Sequence, residues 1–266
     1  MTMPVEPGTI EDFRRDGACV IRGAFAGWIE TLREGVARNL AEPSADVRIY
    51  QGKEGAGRFV GDYCNWARIP EYKDFIFHSD AGEIGRALMG TRTVRLFHEH
   101  VLVKEPGADV PTPWHQDQPY YCVDGTDTVS LWIPLDPVPR ERTLEFVAGS
   151  HRWGKYFRPE RFNKTALNEN DGLEPVPDID GNRGAHTILG WALEPGDAVA
   201  FNYLTLHGAP ANRSKVEQRR AFSLRLVGDN ARFARREGVV TSPPFRQVTL
   251  AHGAVMDAPE FPLLAG

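Results

Sequence analysis

The pattern of hydrophobic and polar positions changes along the chain from helical spacing to alternation. Between residues 28 and 40 the apolar side chains recur every three or four positions, which predicts an amphipathic helix. Residues 71–89 are also predicted to be mostly helical. Residues 94–104 and 219–227 instead alternate between apolar and polar side chains, as half-buried strands do. The pattern therefore predicts a helical first part, followed by a part built mainly of β-strands.

The stretch 112–120 carries the clearest chemical signal in the sequence. It contains His115 and Asp117, which are two positions apart, so a β-strand would present both side chains on one face. One imidazole and one carboxylate are two of the three protein ligands that non-haem Fe(II) oxygenases use. An isolated pair of this kind is more often a surface hydrogen bond, but the prolines and aromatic residues on both sides favour a shaped pocket.

A distant histidine at the end of another predicted strand is the candidate for the third ligand. His207 follows the apolar run 198–201 and precedes a turn that contains Gly208 and Pro210. His115, Asp117 and His207 are therefore the candidate metal ligands and the candidate catalytic centre.

Several short motifs, in a specific order and spacing, carry a resemblance to a known family. They are Lys-Glu-Pro-Gly at 104–107, Pro-Trp-His-Gln-Asp at 113–117, Trp-Ile-Pro-Leu at 132–135, Gly-Ser-His-Arg-Trp-Gly at 149–154, His-Gly at 207–208 and Arg-Arg-Ala at 219–221. With these motifs the chain resembles the phytanoyl-CoA dioxygenase family, and its bacterial members in particular, over most of its length. One departure is the segment 141–143, where the family often has a glycine and a small polar residue.

The resemblance implies a mainly β fold, with a double-stranded β-helix (jelly-roll, cupin-like) core and flanking α-helices. We expect a single oxygenase domain over residues 1–266. Within it, residues 8–92 would form a mostly helical flank, residues 93–228 the jelly-roll core and residues 229–266 a C-terminal strap. The polar loop from about residue 154 to residue 190, rich in Asn, Asp, Pro and Gly, would be a lid over the open end of the barrel.

The resemblance also implies Fe(II), 2-oxoglutarate as co-substrate, and O2. In the family an arginine that follows the distal histidine by about a dozen positions binds the far carboxylate of 2-oxoglutarate, and Arg219 fits best. A guanidinium group suits this role because it is a permanently charged, bidentate donor. Ser223, on the same predicted strand face, and Trp132, which matches a family tryptophan near this pocket, are further candidates. Arg220 is the alternative to Arg219, since a shift of one residue exchanges the two faces of a strand.

Two histidines on the predicted strand 94–104 need a separate interpretation. His98 and His100 are two positions apart and therefore share one face. One possibility is a metal site with four histidines. We favour the other, in which both residues line the substrate pocket or support the site, because an oxygenase needs open coordination positions on its metal.

Composition and charge narrow the range of partners. The chain has 266 residues, a formal net charge of −5 and no long apolar run, so neither nucleic acid nor a membrane is an expected partner. The N-terminus lacks the basic and then apolar pattern of a signal peptide, and three widely spaced cysteines argue against a disulfide framework. We therefore expect a cytoplasmic monomer or homodimer that acts on a small-molecule substrate.

The function predicted from these features is an Fe(II)- and 2-oxoglutarate-dependent dioxygenase that hydroxylates a small molecule and releases succinate and CO2. Hydroxylation is favoured over halogenation because halogenating relatives lack the carboxylate that Asp117 provides. Two other interpretations stay open. One is a jelly-roll metalloenzyme, an isomerase or lyase, that does not use 2-oxoglutarate; the other is a non-catalytic protein that binds a small ligand or a metal.

Overall fold

A computed structural model describes residues 5–160, 165–168, 172–236 and 239–266 of the chain. Its α-helices all lie in the first part of the sequence and are α1 (Pro7–Asp16), α2 (Ile29–Ala41), α3 (Pro70–His78) and α4 (Ala81–Met89). The predicted helical stretch 71–89 is divided in two, because Ser79 has an extended backbone with φ −85° and ψ 171°. Among the described residues no helix is long and apolar enough to cross a membrane.

The strands follow the alternating segments of the sequence. They are β1 (Ala18–Ile21), β2 (Arg48–Tyr50), β3 (Phe59–Tyr63), β4 (Val94–Lys104), β5 (Thr112–His115), β6 (Val123–Asp124), β7 (Thr128–Pro134), β8 (Glu145–Val147), β9 (Ile188–Leu189), β10 (Ala198–Phe201), β11 (His207–Ala209), β12 (Arg219–Val227), β13 (Arg232–Phe233) and β14 (Leu263–Ala265). Strands β4 and β12 begin and end where the alternation of the sequence predicts.

Two antiparallel sheets pack against each other. The larger sheet has eight strands in the order β1-β10-β7-β12-β4-β3-β2, with β14 also paired to β4, and the smaller has four in the order β5-β11-β8-β9. Trp132 and Phe201 of the larger sheet share a buried cluster with Phe146 of the smaller sheet. This is the predicted mainly β, jelly-roll architecture with flanking helices.

The central strand β12 separates the hydrophobic core from a cavity. On one face the ring of Phe222 packs against helix α3, with ring centroids 4.8 Å from Tyr72 and 5.5 Å from Phe75. The alternate side chains on the other face line the cavity, and they include Arg219, Ser223 and Arg225. The period of two along one strand therefore places apolar residues in the core and polar residues in the cavity wall.

Strand β4, the neighbour of β12, repeats this division. Val101 and Val103 belong to the core beneath the helices. The alternate residues His98, His100, Leu102 and Lys104 line the cavity. Because β4 and β12 pair along almost their whole length, they form one continuous wall of the cavity.

The C-terminal segment pairs with two earlier strands, one in a separate two-stranded sheet and one in the larger sheet. β13 pairs with β6, and β14 pairs with β4. Between them, residues 240–244 line the cavity. The segment therefore contributes both to strand pairing and to the cavity wall.

The loop 154–190, predicted to be a lid, is described only in part. Residues 161–164 and 169–171 of it lie outside the described residues. From its described part, Arg158, Glu160 and Leu167 line the cavity. These residues place the loop beside the cavity, and the role of a lid stays a prediction.

Truncation of Phe222 tests the division of β12 into two faces. Phe222 is 0% exposed, so Phe222→Ala should lower the free energy of unfolding by about 3–5 kcal/mol through lost apolar contacts and a residual cavity. Urea unfolding followed by circular dichroism measures this loss. The control Val216→Ala, at a residue that is 85% exposed, should change the stability by less than about 0.5 kcal/mol. Equal effects of the two changes would contradict the placement of Phe222.

Candidate active site

The three residues singled out as metal ligands converge at one point. Strands β5 and β11 pair so that His115 lies directly opposite His207, with ring centroids 4.2 Å apart. One ligand atom from each of His115, Asp117 and His207 lies within 4.8 Å of the others. These are also the only three His, Cys, Asp or Glu residues in the described chain that form such a group.

Asp117 reaches this point by a different route from the one that the sequence predicts. Strand β5 ends at His115, and Asp117 has a helical backbone with φ −72° and ψ −43°. The backbone N–H groups of Asp117 and Gln118 both donate to the carbonyl oxygen of Tyr203, at 2.8 and 3.1 Å. The expectation that a strand holds both side chains on one face was therefore wrong, because a turn anchored on Tyr203 brings the carboxylate to the histidines.

Backbone carbonyls orient both imidazole rings. The Nδ1 atom of His115 lies 2.8 Å from the carbonyl oxygen of Pro113, and that of His207 lies 2.9 Å from the carbonyl oxygen of Thr205. Since a carbonyl only accepts hydrogen bonds, each Nδ1 carries the proton and each Nε2 keeps its lone pair. The Nε2 atoms of His115 and His207 lie 3.5 and 3.8 Å from Oδ1 of Asp117. The three donor atoms thus face a common centre.

A buried arginine keeps the carboxylate of Asp117 ionised. Burial by itself would raise the pKa of Asp117, but the charge of Arg225 and the contact with His115 outweigh it and hold this pKa well below its usual range. Nε of Arg225 lies 3.6 Å from Oδ2 of Asp117, and the hydroxyl of Ser130 donates to the same oxygen at 3.2 Å. Both partners engage Oδ2, which leaves Oδ1 turned towards the two histidines.

Arg225 is itself fixed by an aromatic residue. Its Nε donates to the hydroxyl oxygen of Tyr121 at 2.5 Å, and its guanidinium carbon lies 5.9 Å from the centroid of the Tyr121 ring. Tyr121 and Arg225 are both buried. A substitution at either residue would therefore change the charge environment of Asp117 and leave all three candidate metal ligands in the sequence.

The three converging side chains form part of the wall of a cavity of about 570 Å³. Aromatic side chains supply much of the rest of the wall. They are Tyr50, Phe59, Tyr63, Trp114, Tyr120, Tyr121, Trp132 and Phe201. The size is that of a site for a small organic molecule.

The residues predicted to bind the co-substrate also line this cavity. Arg219, Trp132 and Ser223 all contribute to its wall. Arg220 lies on the other face of β12, where its Nη2 and Nε donate to the carboxylate of Asp136 at 2.6 and 3.0 Å. The alternation therefore presents Arg219, and not Arg220, to the cavity.

His98 and His100 lie in the cavity wall and outside the group of candidate ligands. Nδ1 of His98 lies 3.1 Å from the carbonyl oxygen of Glu99, and its Nε2 has no hydrogen-bond partner among the described residues. Burial, together with the nearby charge of Arg225, lowers the pKa of His98 well below its usual value. Burial likewise lowers the pKa of His100 to about 3. Both rings are therefore neutral at neutral pH.

Two residues of the site were not predicted from the sequence. They are Lys104, which lines the cavity, and Ser130, which contacts Asp117. Lys104 lines the cavity and is 1% exposed, although the sequence drew attention to it only as part of a family motif. The alternation of β4 was an available signal, since Lys104 lies on the same face as His98 and His100. Ser130 had no such signal, because its contact with Asp117 joins separate parts of the chain.

Comparison with known families assigns the chain to a class. The sequence matches the family model described as Phytanoyl-CoA dioxygenase (PhyH) over residues 13–221. This match covers most of the chain, and the chain belongs to that family. A comparison with curated proteins gives no significant match. The resemblance inferred from the short motifs is confirmed.

Solved structures with the same fold include several non-haem enzymes. The alpha-ketoglutarate-dependent carbocyclase SnoK from nogalamycin biosynthesis is 21% identical, with a TM-score of 0.74 over 98% of this chain and 97% of that chain. The epimerase SnoN from nogalamycin biosynthesis, solved in complex with Fe3+, alpha-ketoglutarate and nogalamycin RO, is 24% identical, with a TM-score of 0.71 over 97% of both chains. EctD from S. alaskensis, solved with 2-oxoglutarate and 5-hydroxyectoine, is 20% identical, with a TM-score of 0.68 over 97% of this chain and 90% of that chain.

The neutral state of His98 predicts how stability depends on pH. Because the pKa of His98 is lowered in the folded protein, the unfolded chain binds a proton below about pH 6.5 that the folded protein does not bind. The contribution of His98 is thus fully present above that pH and is lost as the pH falls. Between pH 7 and pH 5 this single group should cost about 2 kcal/mol of unfolding free energy.

The variant His98→Gln should show a correspondingly weaker loss of stability over the same pH interval. Urea unfolding of metal-free protein at pH 8, 7, 6 and 5 measures the difference between the two proteins. At pH 8 any difference reflects packing alone, since neither side chain is charged there. Parallel stability curves from pH 8 to pH 5 would show that His98 takes up a proton normally in the folded protein.

Proposed function

We propose that this protein is an Fe(II)- and 2-oxoglutarate-dependent dioxygenase that hydroxylates a small-molecule substrate and forms succinate and CO2. The observation that carries the proposal is the convergence of His115, Asp117 and His207 on one point of the cavity wall. Membership of the phytanoyl-CoA dioxygenase family supports it.

The donor set fits a non-haem iron centre. Two imidazole Nε2 atoms and one carboxylate oxygen are the ligands of the facial triad that leaves coordination positions open. The orientation of both imidazoles by backbone carbonyls is the arrangement expected of metal-binding histidines. A site for a structural zinc ion would be closed by a fourth protein ligand, and the described residues provide none at this group.

The cavity offers a separate place for the co-substrate. 2-Oxoglutarate carries a 2-oxo acid group, which suits the metal, and a second carboxylate, which suits a buried cation. Arg219 presents such a cation from β12, and Trp132 and Ser223 occupy neighbouring strands of the same wall. We therefore assign the far carboxylate to Arg219.

Bound iron with 2-oxoglutarate and O2 supplies the oxidising power for attack on a substrate C–H bond. The residues of this chain hold and orient the participants. Arg225 keeps the carboxylate of Asp117 ionised, and Arg225 and Ser130 both engage its Oδ2, which leaves Oδ1 for the metal. Hydroxylation is distinguished from epimerisation or carbocyclisation, the reactions named for SnoN and SnoK, by the product. With 18O2, one oxygen atom enters succinate in all three reactions, and only hydroxylation places the other in the product formed from the primary substrate, which mass spectrometry detects.

The remaining expectations about organisation stay proposals. We propose that residues 1–266 act as one oxygenase domain, with the loop 154–190 as a substrate-dependent lid and residues 229–266 as a strap. All three cysteines are free, which fits a cytoplasmic location. A monomer or homodimer is expected.

Loss of a metal ligand tests the iron site directly. His207→Ala should abolish Fe(II) binding and formation of succinate, because two ligands hold the metal far more weakly than three. Anaerobic dialysis measures the bound iron, and the visible charge-transfer band that forms with Fe(II) and 2-oxoglutarate reports the complete site. The control is His151→Ala, whose ring contacts the carbonyl oxygen of Arg14 outside the group, and it should bind iron like the unchanged protein. Normal iron binding by the His207 variant would disprove the assignment.

Loss of Arg219 tests the co-substrate site. Removal of one partner from a desolvated charge pair costs about 2–5 kcal/mol, so Arg219→Ala should raise the Kd for 2-oxoglutarate about 30-fold or more. Iron affinity without 2-oxoglutarate should stay unchanged, and Arg219→Lys should restore only part of the affinity because a point charge cannot replace a planar fork.

The matched control for Arg219 is its neighbour on the strand. Arg220→Ala removes the ion pair with Asp136 on the far face of β12 and should leave the Kd for 2-oxoglutarate unchanged. Anaerobic titration of the Fe(II)-loaded proteins with 2-oxoglutarate gives both values. If only the Arg220 variant binds 2-oxoglutarate more weakly, the assignment of the two faces of β12 is reversed. If both variants bind it normally, the main support for 2-oxoglutarate as co-substrate is lost.

A further inference from the structure

Two buried basic side chains lie opposite each other in the cavity wall. Arg219 on β12 pairs directly with Lys104 on β4, and both side chains line the cavity. Lys104 is 1% exposed and Arg219 is 7% exposed. Directly opposed residues of antiparallel strands have their Cβ atoms about 5 Å apart, and like charges at that distance destabilise the sheet.

No carboxylate in the described parts of the chain forms an ion pair with either cation. Nζ of Lys104 donates to the carbonyl oxygen of Pro210 at 3.2 Å and lies 4.7 Å from the centroid of the Phe59 ring. Arg219 donates through Nη1 to the carbonyl oxygen of Arg142. The partners of both side chains are therefore neutral groups.

The nearby carboxylates are already paired with other arginines. Glu105, next to Lys104 in the chain, pairs with Arg58. Asp136 pairs with Arg220, and Glu217 pairs with Arg142. Lys104 and Arg219 therefore have no anionic partner among the described residues, and together they can bind an anion from outside the protein.

The energetic cost of this arrangement is large without a ligand. Burial, together with the charge of Arg219, lowers the pKa of Lys104 well below its usual value, and burial lowers the pKa of Arg219 to about 10. A buried charge is stable only when it is paired, so an arrangement of this kind marks a place where an anion binds.

We propose that Lys104 is a second cation of the co-substrate site and binds the far carboxylate of 2-oxoglutarate together with Arg219. This inference rests on the proposed use of 2-oxoglutarate. The two groups are complementary, since a guanidinium offers a planar fork and an ammonium is a compact point charge. A carboxylate has two oxygens and accepts from both donors at once. The pair thereby makes the site selective for 2-oxo acids that carry a second carboxylate.

The test uses two ligands that differ only at the far end. 2-Oxoglutarate and 2-oxopentanoate share the 2-oxo acid group, but the second compound lacks the far carboxylate. Their dissociation constants are measured on Fe(II)-loaded protein under anaerobic conditions, from the charge-transfer band, and on Mn(II)-loaded protein by calorimetry. The variant is Lys104→Met, which keeps a long unbranched side chain and removes the charge.

We expect Lys104→Met to weaken binding of 2-oxoglutarate about tenfold or more, as loss of a charge-assisted hydrogen bond does. Binding of 2-oxopentanoate should be unchanged or tighter. The ligand-free variant should be at least as thermally stable as the unchanged protein, because the amine is no longer buried opposite Arg219. Lys104→Gln should show the same selective defect, and it replaces the methionine variant if that protein fails to fold.

Two results would overturn the inference while the proposed function stands. In one, the Lys104 variants bind 2-oxoglutarate as the unchanged protein does, while Arg219→Ala does not. In the other, they lose affinity for both ligands equally, which would assign Lys104 a role in folding or metal binding. Failure of the unchanged protein to bind 2-oxoglutarate would instead overturn the proposed function, and this inference with it.

Discussion

The alternation of side chains along β4 and β12 is the constraint on which both the core and the site depend. One face of these paired strands must be apolar, because helices α2, α3 and α4 pack on it, and Phe222 occupies its centre. The other face is free to carry polar and charged groups, because it borders a cavity. A shift of one residue in β12 would place Arg219 among the helices and Phe222 in the cavity, so the fold and the site depend on the same register.

The polar face contains two groups of charged residues that differ in whether their charges are compensated. At one point of the cavity Arg225 compensates Asp117, so the carboxylate stays ionised beside the imidazoles of His115 and His207. At another, Arg219 and Lys104 face each other without a counter-charge among the described residues. In the first group the charges of the protein compensate each other. In the second group the compensating negative charge has to come from a bound anion. This contrast separates what the protein builds for itself from what the co-substrate has to supply.

The remaining residues of the cavity wall concern the choice of substrate and the type of reaction. The wall includes several aromatic side chains, and His98 offers a neutral ring nitrogen without a partner among the described residues. Proteins with this fold include a carbocyclase and an epimerase as well as EctD, the structure of which contains 5-hydroxyectoine. The fold by itself therefore does not specify one reaction.

The sequence by itself determined the features that depend on local pattern or on residue type. Alternation gave the bounds of β4 and β12, and the motif around His115 and Asp117, with His207, predicted the group of candidate ligands. Only the tertiary structure decided that a turn delivers Asp117 and that Arg219 faces the cavity while Arg220 pairs with Asp136. It also decided that Lys104 is buried opposite Arg219. The physical reason is that burial and charge compensation depend on groups from distant parts of the chain, and no local pattern records which of them meet.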